Sequence, residues 1–243
     1  MAALVRINKL LSQMGIASRR RADELIKEGA VFLNGEMLKA PGVIVDVEKD
    51  TIALGGKVLN PRQQRRYFYY LVNKPQGYIC TVKDTHGRRK IVDLAPKING
   101  IFPVGRLDKD TTGLILLTND GGLAHRLMHP RYNIEKIYEA HISGGLCAKD
   151  IQALQGGVDI QDKRPSVCEV LKFKRLKGLT MITLKIHEGR KRQIRMTFEA
   201  LGYKVISLKR INYAGLDIDI EEGRYRELTD TELQGLKRKV GLL

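Results

Sequence analysis

The sequence lacks the features of exported, membrane-spanning and disulfide-bonded proteins. Its longest apolar runs are only a few residues, far short of the ~20 residues with which a helix spans a bilayer. The opening stretch MAALVRINKLLSQMG shows no signal-peptide pattern. Cys80, Cys147 and Cys168 are widely separated and without CxxC spacing, which argues against a disulfide framework or a structural zinc site. We therefore expect a reduced, soluble, cytoplasmic protein.

Motifs for nucleotide cofactors and metals are also missing. There is no GxxxxGK[ST], no GxGxxG and no HExxH. His125 and His129 lie four residues apart, as zinc ligands can, but no third ligand accompanies them, and a solvated helical pair explains the spacing. The sequence therefore predicts chemistry that needs neither a cofactor nor a metal.

Acidic residues are scarce relative to basic ones. The chain of 243 residues has 43 Lys and Arg against 27 Asp and Glu, a net charge of +16. Such an excess repels itself in a compact state, and a polyanionic partner offsets it. The basic residues run along the whole chain instead of clustering in a terminal amphipathic helix, which favours nucleic acid over an acidic membrane surface. Apolar residues make up 43% of the chain, enough for a substantial core.

Residues 1–60 predict a small domain of two helices and two hairpins. The apolar spacing of LVRINKLLSQMG is helical, and a second helix runs from an N-cap at Ser18 to Gly29. Asn34-Gly35 and Gly55-Gly56 are typical hairpin turns. Residues 61–66 are polar and basic after Pro61, and we interpret them as a linker.

Residues 67–243 predict a larger α+β domain. The segment YFYYLVNKPQGYIC predicts a strand broken by Pro75 and Gly77. Strand-like segments recur at GLILLTN, KIYEAHIS, SVCEVLKFKRL and LTMITLKIH, and helical patterns at GGLAHRLMHP and RQIRMTFEALG. These segments do not follow a strict βαβ alternation, so we expect a mainly antiparallel mixed sheet.

The second predicted helix begins with Arg19, Arg20 and Arg21. Cations at a helix N-terminus are unfavourable by up to ~1 kcal/mol each unless an anion binds there. A solvated basic face is the alternative interpretation.

Residues 6–35 closely resemble the S4 RNA-binding module. This resemblance implies that the first domain binds structured RNA.

Asp108 lies between strand-like FPVGRL and TTGLILLTND. The flanking Thr111-Thr112-Gly113 suits a tight loop that presents a side chain, and the apolar run after it would anchor that loop on a core strand. Nearby cations would keep such a carboxylate ionised for work as a nucleophile or base. An ordinary turn aspartate is the alternative.

Four segments resemble the ribosomal RNA pseudouridine synthases of the RsuA/RluB family. GRLDKDTTGLILLTNDG is similar to the central motif, KIYEA to the second, residues 187–216 to the third, and NKPQGYICT to the first strand segment. The resemblance implies that the protein isomerises a specific uridine of ribosomal RNA, with Asp108 as catalytic carboxylate, Tyr138 as active-site tyrosine and Arg195 as basic partner of Asp108. Thr197 departs from the apolar or basic residue usual in the third motif.

These roles translate into expected contacts. Arg195 would hold Asp108 ionised through a charge-assisted pair, and Tyr138 would stack on the uracil, although a core tyrosine is the alternative from its strand pattern alone. The target base must be turned out of its stack, at a cost of a few kcal/mol, which backbone contacts offset. We expect RNA contacts from Arg6, Lys9, Ser18, Arg19, Arg20, Arg21, Arg106, Lys136, Arg192, Gln193, Lys209 and Arg210.

The expected partner is ribosomal RNA or a pre-ribosomal particle, with the large subunit favoured. We expect a monomer that contacts no membrane. The main alternative is a non-catalytic RNA-binding protein of ribosome assembly that retains the synthase fold. A basic glycosidase is a third hypothesis, but it would need a second facing carboxylate, and no other acidic residue is singled out by its surroundings.

Overall fold

The computed structural model describes residues 4–61, 66–162 and 164–243. The chain divides into two compact units, Met1–Tyr67 with Ile98–Gly100, and Phe68–Lys97 with Ile101–Leu243. Most of the predicted linker, residues 62–65, lies outside the described residues. Within the described part of the chain, no helix has the length and apolar character to cross a membrane.

The described residues of the first unit form two helices and six short strands. Its strands form a four-stranded sheet of order β3-β2-β5-β6 and a two-stranded sheet of β1 and β4. The elements are β1 (Leu4–Arg6), α1 (Ile7–Gln13), α2 (Arg19–Lys27), β2 (Val31–Leu33), β3 (Glu36–Met37), β4 (Ile44–Asp46), β5 (Ile52–Leu54) and β6 (Lys57–Val58).

Local signals explain most of this unit. Ser18 accepts a hydrogen bond from the Arg21 backbone N–H at 3.2 Å, which confirms the predicted N-cap. Asn34 and Gly35 have φ angles of 52° and 86°, as a type I′ hairpin turn requires. The prediction of one helix across LVRINKLLSQMG was wrong at its start, because Val5 pairs with Val45 in an antiparallel ladder and the helix begins only at Ile7.

The second unit is built on one large sheet with helices packed against it. The elements are β7 (Tyr69–Lys74), β8 (Phe102–Pro103), β9 (Thr112–Thr118), α3 (Gly121–Met128), β10 (Lys136–Ser143), α4 (Ala148–Gly156), β11 (Glu169–Leu176), β12 (Leu179–Ile186), α5 (Gln193–Ala200), β13 (Val205–Tyr213), β14 (Leu216–Asp217), β15 (Tyr225–Glu227) and α6 (Asp230–Lys239). Both predicted helices and the predicted strands at 113–119, 136–143, 166–176 and 179–187 are confirmed, while the strand predicted at 67–80 ends at Lys74. We had not predicted α4, β13 or α6, although Thr229 and Glu232 form a capping box at the start of α6 that the sequence displays.

The sheet has the order β11-β12-β10-β13-β9-β7-β15, with β14 on β13 and β8 on β9. Among the described strands, β13 and β9 form the one parallel pair, and every other pair is antiparallel. This matches the expected mainly antiparallel mixed sheet. The buried apolar run Leu114–Leu117 of β9 forms the centre of the core.

Gly113 allows the parallel pair to form. It lies opposite Arg210 in the register, with a φ angle of +103°, and a Cβ atom at this position would lie 2.2 Å from the carbonyl oxygen of Arg210. Only glycine combines this backbone conformation with so close an approach. The pairing therefore places the loop before β9, which carries Asp108, beside the middle of β13.

We predict that Gly113→Ala lowers the free energy of unfolding of the second unit by about 3 kcal/mol or more, because the added methyl must displace backbone atoms from an already strained position. Calorimetric unfolding of the whole chain measures the effect. Gly121→Ala, in the first turn of α3 with no atom near the new Cβ, is the matched control and is expected to change stability by less than about 0.5 kcal/mol. Equal stability of the two variants would contradict the close-approach argument.

Candidate active site

A cavity of about 480 Å³ opens in the second unit, where the loop before β9 meets strands β10 and β13. Its lining includes the 104–108 stretch, the 186–194 stretch and inward-facing residues of both strands. The size is typical of a small-ligand pocket. Asp108 and Tyr138, two of the three predicted catalytic residues, both line it.

Asp108 lies half-buried in the loop between β8 and β9. Its carbonyl oxygen accepts a hydrogen bond from the Thr111 N–H at 3.1 Å, and the neighbouring Leu107 N–H bonds the Cys80 sulfur at 3.2 Å. The loop is thus tied on both sides of the aspartate. In the part of the chain that the structure describes, the Asp108 carboxylate forms no ion pair, which leaves it available to a ligand in the cavity.

Lys74 supports this loop from beneath. Its side chain is fully buried, and its Nζ donates to the carbonyl oxygens of Pro75 (3.0 Å), Lys109 (3.2 Å) and Thr111 (2.7 Å). Burial lowers the pKa of Lys74, while the charges of nearby acidic groups, Asp110 and Asp108 among them, oppose that shift. The sequence analysis assigned no role to Lys74. The signal that could have indicated this role is a single lysine at the end of an otherwise buried strand.

Tyr138 and Arg210 are direct neighbours across the β10–β13 ladder, so their side chains share the face of the sheet that lines the cavity. Tyr138 is 7% exposed and Arg210 only 2%. The Arg210 Nε donates to the Leu114 carbonyl at 2.6 Å, and its guanidinium carbon lies 4.6 Å from the centre of the Tyr213 ring. The floor of the cavity thus combines two aromatic rings with a buried cation.

Comparison with known proteins identifies the family to which this chain belongs. Residues 68–200 match the model of the RNA pseudouridylate synthase family, and residues 5–52 match the S4 domain. The chain belongs to the RNA pseudouridine synthase family. The S4 match lies within the first unit, and the synthase match lies within the second except for residues 98–100.

Individual relatives agree along nearly the whole chain. The synthase is 40% identical to the ribosomal large subunit pseudouridine synthase B of Bacillus subtilis, over 96% of this chain and 95% of that protein. It is 35% identical to the dual-specificity RNA pseudouridine synthase RluF of Escherichia coli, over 94% and 77% of the two chains. A crystal structure of a pseudouridylate synthase superposes with a TM-score of 0.67 at 31% identity, covering 96% and 99%.

The predicted ion pair between Arg195 and Asp108 is absent from the described residues of the synthase. The Arg195 guanidinium donates instead to the carbonyl oxygens of Val205 (3.1 Å) and Asp110 (3.2 Å), and Arg195 is not among the residues that line the cavity. Burial, together with the charge of Arg192, lowers the pKa of Arg195, and the carboxylates of Asp108 and Asp110 oppose the shift. Arg195 therefore stabilises the backbone of the Asp108 loop by hydrogen bonding. It acts on the Asp108 carboxylate only through its charge.

Gln193 was predicted to contact RNA, but its amide is engaged inside the protein. It is 3% exposed; its Nε2 donates to Ser166 Oγ (3.0 Å) and Glu188 Oε1 (2.8 Å), and its Oε1 accepts from the Arg190 N–H (3.2 Å). Thr197, the departure from the family motif, joins this network, with its hydroxyl 2.8 Å from Ser166 Oγ. These buried bonds hold the loop that forms one wall of the cavity.

Lys136 and Arg210, which were also predicted to contact RNA, line the cavity, and the remaining predicted contacts fall into three groups. Arg106 and Arg192 are exposed residues of the cavity lining. Lys209 is half-buried and lies outside that lining. The predicted contacts of the first unit are all exposed: Arg6, Lys9, Ser18, Arg19, Arg20 and Arg21.

Arg21 differs from its two neighbours in α2. Its guanidinium pairs with Glu24 (3.0 Å) and Glu28 (2.7 Å) of the same helix. Within the described part of the chain, Arg19 and Arg20 form no ion pair. Two of the three arginines at the helix start thus leave their charge available to an anion.

Lys136 is a second cation of the cavity wall. Its Nζ donates to the carbonyl oxygens of Ile134 (2.7 Å) and His187 (2.8 Å). Burial and, to a lesser extent, the charge of Arg210 lower its pKa to about 8, while the charge of Glu188 opposes the shift. The Lys136 ammonium is therefore the group of the cavity most sensitive to mildly alkaline pH.

We predict that Lys136 titrates near pH 8 in the folded synthase, whereas the pKa of Lys185 is raised above its ordinary value by hydrogen bonding to Glu169. Side-chain ¹³C NMR of labelled lysine measures both, and Lys136→Met identifies the resonance by deleting it. Because the folded pKa lies below the unfolded one, the unfolded chain holds this proton more tightly. The contribution of Lys136 to the free energy of unfolding thus rises between pH 8 and about 10.5. A Lys136 resonance that titrates together with exposed lysines would contradict the assignment.

Proposed function

We propose that this synthase isomerises a specific uridine of ribosomal RNA to pseudouridine, with Asp108 as the catalytic carboxylate. The observation that carries the proposal is that Asp108 and Tyr138, which lie 30 positions apart in the sequence, reach the same cavity. The B. subtilis relative is a ribosomal large subunit pseudouridine synthase by name, which supports the large subunit as the source of the substrate.

The reaction conserves every atom of the nucleotide. The N1–C1′ bond breaks, the base turns, C5 bonds to C1′, and the proton lost from C5 is balanced by one gained at N1. Asp108 starts the cleavage as a nucleophile or base. Tyr138 lies on the floor of the cavity, where its ring would stack on the uracil during the turn.

RNA binding would be shared between the two units. We propose that residues 1–60 form an RNA-gripping module, that residues 67–243 form the catalytic domain, and that the synthase acts as a cytoplasmic monomer on ribosomal RNA or a pre-ribosomal particle. Arg19 and Arg20 offer unpaired charges at the start of α2, where the helix dipole also favours phosphate. Arg106 and Arg192 offer charge at the edge of the cavity, suited to the phosphates that flank an extruded nucleotide.

We predict that Asp108→Asn abolishes pseudouridine formation, with a rate at least about 10³-fold below wild type, because it removes the charged group of the reaction. RNA affinity is expected to change by less than threefold. Single-turnover assays on ribosomal RNA fragments and filter binding measure the two quantities. Asp110→Asn, two residues further along the same loop and outside the cavity lining, is the control and keeps most of the activity.

The same assay tests the alternative of a non-catalytic assembly protein. Wild-type protein that binds ribosomal RNA tightly but forms no pseudouridine on fragments of either subunit would favour that alternative. Equal rates for wild type and Asp108→Asn would remove Asp108 from the mechanism and leave the family membership intact.

The first unit allows a separate prediction about affinity. The double variant Arg19→Gln/Arg20→Gln is expected to weaken RNA binding on the order of tenfold or more and to reduce the slope of log K against log salt by about 1 to 2, since each lost phosphate contact retains counterions. Salt-dependent binding assays measure both. Lys49→Gln/Lys57→Gln removes the same charge from exposed positions of the same unit and is the matched control. Indistinguishable slopes for the two double variants would argue against an anion site at the start of α2.

A further inference from the structure

Arg210 is a buried cation whose hydrogen bonding is incomplete. Its side chain is 2% exposed, its Nε is bonded to the Leu114 carbonyl, and one terminal nitrogen, Nη2, is buried without any hydrogen-bond partner. In the part of the chain that the structure describes, no carboxylate forms an ion pair with it. Arg210 also lines the cavity that contains Asp108 and Tyr138.

An unsatisfied buried guanidinium is unfavourable, because the charge has lost its hydration without gaining an anion. Such groups are retained where a ligand completes them. The neighbouring Tyr213 ring covers one side of the guanidinium but cannot accept the missing planar hydrogen bond. The missing acceptor is therefore expected from a substrate that enters the cavity, because Arg210 belongs to its lining.

The depth of Arg210 indicates which part of the nucleotide it meets. Phosphates are strongly hydrated, and the exposed Arg106, Lys191 and Arg192 of the cavity lining can neutralise them while they keep contact with water. The flat, uncharged base is the part that enters a pocket floored by Tyr138 and Tyr213. The acceptors that a uracil presents there are its two carbonyl oxygens, O2 and O4.

We propose that Arg210 is a further catalytic residue, which donates a hydrogen bond to a carbonyl oxygen of the target uracil and stabilises the negative charge that develops on the base. This inference rests on the proposed pseudouridine synthesis. When the N1–C1′ bond breaks, its electron pair stays on the base and spreads from N1 to O2 and O4. The charge returns to neutral once C5 has bonded to C1′, C5 has lost its proton and N1 has gained one.

The placement suits this task in two further ways. The bond from Nε to the Leu114 carbonyl orients the guanidinium before the substrate arrives, so little reorganisation accompanies the reaction. Tyr138 is the direct cross-strand neighbour of Arg210. It would stack on the face of the uracil ring, while Arg210 would donate a hydrogen bond to a carbonyl oxygen at the edge of that ring. One pair of adjacent strand positions thus provides both the stacking surface and the charge stabilisation.

The test separates chemistry from RNA binding. Arg210→Lys and Arg210→Ala are compared with wild type in single-turnover pseudouridine formation, RNA affinity and thermal unfolding, with Lys174→Met on the exposed strand β11 as a control for loss of one positive charge. Removing a donor that stabilises developing charge lowers rates by about 10²- to 10³-fold. We expect that loss in both variants at saturating RNA, with RNA affinity within threefold of wild type.

Chemical rescue distinguishes a catalytic role from a structural one. Guanidinium ion in the tens of millimolar, far below denaturing concentrations, is expected to restore the rate of Arg210→Ala in a saturable manner, while sodium and urea do not. A rate within threefold of wild type for Arg210→Lys overturns the inference. So does a rate loss that follows a lowered unfolding temperature and shows no guanidinium rescue.

Two other outcomes would bear on a phosphate contact of Arg210 and on the proposed function. A variant that loses RNA affinity and salt dependence in proportion to rate would place Arg210 on a phosphate and overturn the inference. Wild-type protein without pseudouridine synthesis on any ribosomal fragment would instead remove the proposed function, and this inference with it.

Discussion

The parallel pairing of β9 with β13 is the constraint on which the rest of the site depends. It brings the backbone of Gly113 against that of Arg210, so the loop that precedes β9 ends beside the centre of the sheet. Asp108 on that loop, Arg210 on β13 and Tyr138 on β10 then line one cavity. A strand order that paired β9 differently would separate these three side chains, whatever their local conformations.

Several cationic side chains near the cavity donate hydrogen bonds to backbone carbonyl oxygens and not to carboxylates. Lys74, Lys136 and Arg195 each donate to two or three carbonyl oxygens of loops around the cavity. Because a carbonyl carries only a partial charge, the cation is held in place but not neutralised. The cavity therefore stays electropositive, and Asp108 keeps its carboxylate unpaired in the described structure. Both properties suit a polyanionic substrate and the catalytic role that we propose for Asp108.

The comparison between prediction and structure is instructive at three residues. The position of Asp108 on a loop that lines the cavity was predictable, because turn-forming residues followed by an apolar strand pattern indicate a loop that presents its side chains. Gln193 looked equally polar and was assigned to RNA, yet the fold turns it inward to Ser166 and Glu188. Arg195 was expected to pair with Asp108, but the nearby carbonyls of Val205 and Asp110 take its donors. Residue type and spacing do not reveal which of several neighbouring acceptors a long side chain will reach.

By itself, the sequence determined the family motifs, the basic charge, the hairpin turns, the cap at Ser18 and the main strands, because these depend on local propensity and short-range periodicity. Only the tertiary structure decided that Lys74 supports the Asp108 loop, that Gly113 admits the neighbouring strand, and that Arg210 is buried with an unpaired nitrogen beside Tyr138. Those properties arise from contacts between residues far apart in the chain, and they are set by strand order and register, which no local pattern encodes.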